Sequence, residues 1–596
     1  MEETQVKFAK DYAEQATMQS FLNCYLRETS HFTEIEKPEA LRDLSAQKFI
    51  SCLLENQGIE LILPVSYWSL TGRHIFQFPL IYRIGNGAFY PLDYLTLTTL
   101  IVKELLIDQN RYDAEDELIM RIILSCQNMK SYIEERYKDK KRLSDETFDY
   151  IEAEQSLLLG HLLHPTPKSK QGLSIEEDRL YSPELNGEFQ LHYFSVHPSI
   201  ILEDSSLSLS ASELMREELQ ADESVNQEWL NQFEKWVLIP VHPLQVKVLL
   251  KNKHVVHYIQ KGKLDYLGPV GKMYTATSSF RTLYSHQSKY MLKFSVPVKI
   301  TNSLRVNQQK ELDRGVEVSR LLKTTLGKEL KRNHPKFDII RDPAYLNVAI
   351  PDLEPGFAVV IRENPFYENS ENTSLVAALC QDHAYGGNAR LHSIITSIAR
   401  REGRAIEKVS LEWFDRYLSL SLDPMLWLYR NYGIALEAHQ QNSVIKLSEG
   451  YPLSFYYRDN QGYYFSESMA DKLSNLLPDL NEKSDTICAD EVANERFRYY
   501  FFFNHLFGLI NAFGVNGLIK EQHLIDLLRE RLLRYEAKHP SSLVKSLLEE
   551  PVLPCKANLL TRFYDMDELV GSLETQSVYT MVNNPIAQEV AVENGS

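Results

Sequence analysis

Between Thr277 and Arg305 the chain has the alternation of a buried strand, yet it carries fixed cations, and few folds accommodate both. In 290–297, Tyr290, Leu292, Phe294 and Val296 fall on one strand face, and Met291, Lys293 and Ser295 on the other. An ammonium on a core-facing sheet is costly unless an anion meets it. Pro297 puts the segment at a sheet edge or at a strand end. Thr277-Ser278-Ser279-Phe280-Arg281-Thr282 precedes it and Thr301-Asn302-Ser303-Leu304-Arg305 follows. Thr301-Asn302 reads as a helix N-cap, which puts Arg305 in a first turn where the helix dipole disfavours a cation. An anion bound at that N-terminus removes the conflict. Singly, Arg281, Lys293 and Arg305 each have an ordinary reading as partners of distant carboxylates. Together with the hydroxyls they predict an anion site.

That prediction stands out because the formal net charge is −17. Such a balance argues against a nucleic-acid partner, whose backbone is bound by Lys and Arg, and it would attract a cationic substrate such as a polyamine. The 596 residues exceed one hydrophobic core, so roughly two to four domains are expected. The six cysteines are scattered without a C-x-x-C, so neither a disulfide framework nor a metal cluster is suggested, and a cytoplasmic location is expected. Met1-Glu2-Glu3-Thr4 lacks the basic and apolar segments of a signal peptide. The apolar run 499–519 contains Asn504, His505, Asn511 and Asn516. Polar groups at that density suit a helix in a large core rather than a membrane.

Apolar spacing predicts helices over 7–28 and 95–137, strands from about 236 to 301, helices over 373–430, a strand and hairpin at 434–466, and long helices to about 550. The charged run 137–142 marks an exposed boundary, and 203–223 a surface loop followed by a charged helix. Helices at both ends of a mixed centre indicate an α+β fold.

Four further constellations bear chemistry. Alternation after Gly433 sets Glu437, His439 and Gln441 on one face, ahead of Asn442, as a ligand-reading surface; a solvated strand face is the plain alternative. Tyr456 to Tyr463 reads as a tight hairpin between aromatic strands with Asp459 at its tip. Asp459 is either an ordinary turn residue or, with Glu437, a ligand for nucleotide-bound Mg²⁺. His161 and His164 are spaced H-x-x-H with no third ligand nearby, and Lys168 follows two prolines in a rigid loop. Val241-His242-Pro243-Leu244-Gln245 follows a strand in the same way. The common phosphate-loop and nucleophile-elbow signatures are absent; Gly268-Pro269-Val270-Gly271-Lys272 has the wrong spacing.

In this order, G-H-x-x-H-P-x-x-K-S (160–169), H-P-x-Q (242–245), T-S-S-x-R-T (277–282), K-I-T-N-x-x-R (299–305), E-x-H-x-Q-N (437–442) and R-D-x-x-G (458–462) resemble the siderophore synthetases that work independently of nonribosomal peptide synthetases. These are the aerobactin-synthetase (IucA/IucC) type. Asn504-His505-Leu506, Lys556-Ala557-Asn558-Leu559 and Asn584-Pro585 extend the likeness over nearly the whole chain, and the wording is most similar to members that join citrate to spermidine.

The resemblance implies a thumb, fingers and palm arrangement: a helical thumb at 1–150, fingers at 151–372 and a palm at 373–596. It implies ATP and Mg²⁺ as cofactors, citrate and a polyamine as substrates, and a homodimer. Citrate would attack the α-phosphate to give citryl-adenylate and pyrophosphate, and an amine would then displace AMP. Ser278, Ser279, Arg281, Lys293 and Lys168 would lie on the nucleotide side. Thr301 and Arg305 would grip citrate, Arg305 with a fork suited to carboxylates. His161 or His164 would assist the charge at phosphorus, while His439, Gln441 and Asn442 line the pocket and Glu437 and Asp459 approach the metal. Gln461 stands where many members have a second acid, which puts that ligand in doubt. The rivals are a synthetase using another amine, alcohol or substituted citrate, and a non-catalytic citrate- or siderophore-binding protein on the same fold. A ferric-siderophore reductase lacks the clustered cysteines it would need.

Overall fold

The computed structural model describes residues 2–111, 115–301, 303–351, 353, 356–564 and 578–587. Asn302, part of the K-I-T-N-x-x-R motif, lies outside the described residues.

The expected N-terminal helices are present as Glu2–Thr29, Tyr94–Asp108 and Glu115–Glu135. Between the first two, however, lies a six-stranded antiparallel sheet built on Lys48–Leu54 and Ile59–Tyr67, so a purely helical N-terminal part does not hold. Both of those strands are buried nearly throughout. A strand covered on both faces reads as a continuous apolar run, which periodicity does not separate from a buried helix. Phe21, Leu22 and Tyr25 of the first helix pack against Ile50, Leu61 and Leu63 of this sheet, and Leu559 and Phe563 from far downstream complete the core.

The centre is an eight-stranded antiparallel sheet. Its order is Val237–Val241, Glu188–Val196, Leu264–Ala276, Thr282–Tyr284, Tyr290–Phe294, Val359–Glu363, Ala344–Val348 and Ile201–Ser205. Leu292 and Phe294 enter the central core, whereas Met291 points to the C-terminal one. Lys293 shares the face of Met291, so it projects toward the seam between the two cores. Within the expected strand region, Pro243–Leu249 and Lys253–Gln260 are helices, capped by His242 and Asn252. The Gly268–Gly271 segment lies inside a strand, where the register shifts between Pro269 and Met273.

The C-terminal part wraps the helices Arg390–Glu402, Ile406–Leu420, Leu422–Tyr432 and Glu521–Glu536 around a four-stranded sheet. There, Phe337–Ile340 pairs parallel with Tyr451–Arg458, so the chain crosses the expected limit at 372. Among the described residues only this pair and Tyr463–Ser466 with Ile487–Cys488 are parallel. Helices and mainly antiparallel sheets are combined in all three parts, a mixed helix-and-strand fold. The 499–519 run forms a π-helical segment, Arg498–Leu506, continued by Phe507–Val515. Among the described residues no helix is long and apolar enough to cross a membrane.

Candidate active site

Three regions of the chain converge on one cleft with about 2040 Å³ of empty space open to solvent. Fourteen of the residues singled out above line it: His161, His164, Lys168, Ser278, Ser279, Arg281, Lys293, Thr301, Arg305, Glu437, His439, Gln441, Asn442 and Asp459; His242 and Gln245 do not.

The Thr277–Thr282 turn joins two neighbouring strands of the central sheet, closed by Thr277 N–H to Thr282 O (2.9 Å) and Phe280 N–H to Thr277 O (2.9 Å). Phe280 holds φ at 65°, a conformation that costs a side-chain-bearing residue about 1 kcal/mol. Lys170 lies over its ring at 5.4 Å. The two serines at the turn differ. The backbone N–H of Ser278 donates to Glu154 Oε2 at 2.9 Å and its hydroxyl to the same oxygen at 2.7 Å, so both donors face inward. Ser279 Oγ accepts from Thr282 N–H (3.1 Å), and its own hydrogen has no acceptor among the described residues. Ser279, rather than Ser278, therefore has a hydroxyl to offer a ligand.

Arg281 is 5% exposed and donates to Asn307 Oδ1 at 3.0 Å. No carboxylate among the described residues lies within ion-pair distance of it. Burial, then the neighbouring Arg305, pushes its pKa down to about 10 against the pull of Glu311, which leaves it charged at neutral pH. Lys293 sits 3.3 Å from Asp459 Oδ1 and donates to Asn460 Oδ1. Burial lowers its pKa to about 8, with Asp459 opposing and Arg281 adding to the fall. Burial alone would raise Asp459; Lys293 and Arg362 overcome it and hold the carboxyl well below the usual range. Isolated like charges would not gather in such a place without counter-charge.

The expected N-cap at Thr301 is not formed. Lys299–Ile300 pairs antiparallel with Ser303–Leu304, so Thr301 leaves a strand of a small hairpin, at φ 52°, rather than opening a helix. Turns and N-caps select the same residue types, and the pairing decides between them. Arg305 follows this hairpin; its Nη2 donates to Ile300 O (3.1 Å) and Thr301 Oγ1 (3.2 Å). The carbonyl of Thr301 is held by Arg121 Nη1 at 2.7 Å.

The strand at Ile434–Leu436 ends before Glu437, so 437–442 is a turn rather than an alternating strand, fastened by Asn442 N–H to His439 O (3.0 Å). Buried His505 supports it, with Nδ1 2.6 Å from Ala438 O. Nor is 456–463 a hairpin: Tyr451–Arg458 pairs within the four-stranded sheet and Tyr463–Ser466 within a separate three-stranded one. The turn carrying Asp459 thus crosses between sheets. Distant strands, invisible to local pattern, decide that partition. A Cβ at Gly462 would stand 2.2 Å from Glu437 Cβ and 3.1 Å from Asp459 Oδ2, so the two acids meet across this glycine.

His161, His164 and His439 each accept a backbone N–H at Nδ1, from Leu163 (3.1 Å), Thr166 (3.1 Å) and Gln441 (3.2 Å). A neutral imidazole so held carries its proton on Nε2 and acts as an uncharged donor. His161 opens on the cleft, but enclosing protein and then Arg27 and Lys556 lower its pKa to about 4. His439 is lowered to about 3, by burial first.

Lys168 is not a free cation. Its Nζ lies 2.5 Å from Glu184 Oε1, and Lys170 lies 2.7 Å from Glu184 Oε2, all three buried. Several residues escaped the motif reading. Asn307 orients Arg281, Asn460 holds Lys293, and Arg73 reaches the cleft from the N-terminal sheet region, donating to Asn511 Oδ1 at 3.0 Å. The π-helical segment adds Tyr499, Tyr500, Phe503 and Asn504 as one wall. Of these four, only Asn504 belonged to a motif read in the sequence.

A model of the IucA/IucC family matches residues 149–381, and one described as ferric iron reductase FhuF-like transporter matches 411–571. That second span holds only Cys488 and Cys555. Burial raises both thiols, Cys488 to about 11, and no group of three or more metal-ligating side chains occurs among the described residues. Along the whole chain there is 47% identity to the spermidine-citrate ligase of Bacillus anthracis, covering 99% of this chain and 100% of that protein. The rhizobactin siderophore biosynthesis protein RhbC of Rhizobium meliloti is 37% identical over 96% of this chain and 97% of that protein. The ATP-bound aerobactin synthetase IucA of Klebsiella pneumoniae superimposes with a TM-score of 0.87 at 27% identity, covering 96% of this chain and 99% of that one.

Proposed function

The chain belongs to the IucA/IucC family, and from that premise we propose that it is an ATP-dependent ligase joining citrate to a polyamine in siderophore biosynthesis. Spermidine is the acceptor best supported, through the 47% identity to a spermidine-citrate ligase along its full length. The observation that carries the reading is the convergence of buried Arg281 and Lys293, half-buried Arg305 and the 437–442 turn on one cleft of an acidic chain.

The reaction has two steps. A citrate carboxylate oxygen attacks the α-phosphorus of ATP, the α–β phosphoanhydride bond breaks, and pyrophosphate leaves. The amine nitrogen then attacks the citryl carbonyl carbon, AMP leaves, and the ammonium proton passes to solvent. Arg281, Lys293 and the Ser279 hydroxyl neutralise charge that accumulates on the departing pyrophosphate, fixed in place before the reaction begins. Arg305 presents a planar fork to a citrate carboxylate, with Thr301 beside it. His161 and His164 offer neutral N–H donors to the phosphorane oxygens. Being uncharged, they do not add to the repulsion among the cations already present. Catalysis is chiefly positioning and electrostatics.

The donor set fits a magnesium ion carried in by the nucleotide. Glu437 and Asp459 meet at Gly462, and such an ion needs only one or two protein carboxylates. When bound, it would supply charge neutralisation at the phosphates, held by these two residues. Gln461 adds no charge to that set. The six cysteines are unpaired, in keeping with work in a reducing cytoplasm.

The test is pyrophosphate release from ATP that depends on citrate, followed by amide formation with a panel of amines. Spermidine should give the highest kcat/KM. Formation of ADP and phosphate would contradict the adenylate route, and a preference for an amino-acid amine would move the chain to another branch of the family.

A further inference from the structure

Ser278 of one cleft turn and Arg458 at the start of another meet at the carboxylate of Glu154, whose side chain is wholly buried, and the 437–442 turn joins them through Gln441. Glu154 ends the short helix Tyr150–Glu154, which Asp149 and Glu152 cap reciprocally. Tyr150 and Glu154, four residues apart, share a face of that helix. Both reach Arg458: Nη1 stands 2.7 Å from Glu154 Oε1, Nη2 donates to Oε2 at 3.1 Å, and Nη1 also donates to the Tyr150 hydroxyl. Arg458 in turn donates to the carbonyl of Gln441 from Nη2 (2.8 Å) and Nε (3.2 Å). On its other side Glu154 takes both donors of Ser278. Gln441 Nε2 closes the ring by donating to Ser278 O at 2.9 Å.

Resting on the ligase reading above, we propose that Glu154 is the positioning residue of the adenylation step. It fixes the 277–282 turn, which carries Ser279 and Arg281, against the 437–442 and 458–462 turns, which carry His439 and Asp459. Ser278 is then a strut of this frame and not a phosphate ligand. Oε2 alone accepts from both Ser278 donors and from Arg458 Nη2, while Oε1 faces Nη1 at ion-pair distance. A glutamine there keeps one acceptor oxygen and turns an NH₂ donor toward either Arg458 or Ser278.

A double-mutant cycle tests this, read as citrate-dependent pyrophosphate release against ATP concentration and normalised to titrated active sites. Glu154→Gln should lower kcat/KM for ATP about 100-fold, the scale of a 1 Å misplacement of a reacting group. Ser278→Ala should lower it in the parent protein but add nothing in Glu154→Gln, because the strut has already lost its anchor. Ser279→Ala should keep its full effect in both backgrounds. Glu154→Asp, which keeps the charge but withdraws it by one methylene, should fall between, and it serves if Glu154→Gln does not fold. Additive effects of Ser278→Ala and Glu154→Gln would overturn the proposal. So would a Glu154 variant with a lowered melting midpoint but parental kcat/KM per active site, the mark of a merely structural residue. If the parent protein releases no pyrophosphate, the ligase reading falls instead. The same cycle, read as equilibrium ATP affinity, then decides the role of Glu154 separately.

Discussion

Lys293 Nζ and Asp459 Oδ1 stand 3.3 Å apart, joining the middle of the central sheet to a turn that crosses between two sheets of the C-terminal part. Before nucleotide arrives, each is the other's counter-ion, with Asn460 as a neutral third partner. Under the proposed function, an arriving phosphate would compete for the lysine, and a metal ion for the aspartate. On that proposal the pair is a preformed exchange rather than a fixed structural bridge.

The pair predicts a pH dependence. Burial lowers the Lys293 pKa to about 8, and the charged form is the one that meets phosphate. Since kcat/KM reports the free enzyme, kcat/KM for ATP should be full below about pH 8 and fall as pH rises through it. Asp459 is the largest influence holding the lysine pKa up, so Asp459→Asn should move this limb to lower pH. Lys293→Arg should remove the limb from the accessible range. A pH profile of pyrophosphate release in the three proteins checks the prediction, and a limb unmoved by Asp459→Asn would refute the coupling.

Gly462 is predicted to tolerate no side chain. A Cβ there would meet Glu437 Cβ at 2.2 Å and the buried Tyr457 hydroxyl at 2.9 Å. Its carbonyl also accepts from Glu437 N–H (2.8 Å) and Tyr457 Oη (2.7 Å), so the turn has little freedom to move aside. Gly462→Ala should cost about 1–3 kcal/mol, the usual scale of overpacking. It should also weaken the Mg²⁺ dependence of activity, because Glu437 is the group displaced. Chemical denaturation and metal titration measure the two effects separately.

The residues that line the candidate cleft were more legible than the architecture around them. Lys293, Arg281 and Arg305 announced themselves because cations inside apolar patterns demand counter-charge, and all three line the cleft. The N-terminal sheet was illegible because strands buried on both faces lose their alternation. Thr301 was misread because a hairpin turn and an N-cap favour the same residue types, and pairing of Ile300 with Ser303 decides the matter. The roles of Glu154 and Asn307 were illegible locally. Their meaning lies in partners distant in sequence, Arg458 and Arg281, that only the folded chain brings near.

The cluster behind the turn gives a stability prediction. Glu184 answers two buried lysines, and Lys168 and Lys170 lower its pKa to about 2 against a burial effect that alone would raise it. A carboxylate depressed in this way adds stability that is complete above its unfolded pKa and is lost as pH falls through the folded one. The loss should therefore appear between about pH 4.5 and 2. Glu184→Ala leaves both ammonium groups without their shared partner and should destabilise by about 3–5 kcal/mol at neutral pH. Denaturation curves at pH 7 and pH 3 should show the difference between the two proteins shrinking at the lower pH. A constant difference would mean that lost packing, not charge, dominates.

Arg305 offers the sharpest separation of binding from folding. It is half-buried at the end of a small hairpin, outside the hydrophobic cores, and donates to Ile300 O and Thr301 Oγ1. Arg305→Ala should therefore leave the melting midpoint nearly unchanged. Its chemical effect should be large, because a bidentate fork to a carboxylate is not replaced by water. Citrate-dependent pyrophosphate release should fall by at least about 100-fold, the scale set by removing one preorganised donor from a developing charge. Arg305→Lys keeps the charge but loses the fork, so it should recover only part of the rate and show a raised KM for citrate. The KM for ATP should change little in either variant, since Ser279, Arg281 and Lys293 remain. Pyrophosphate release that stays intact in Arg305→Ala, or a defect confined to ATP, would remove Arg305 from the citrate site.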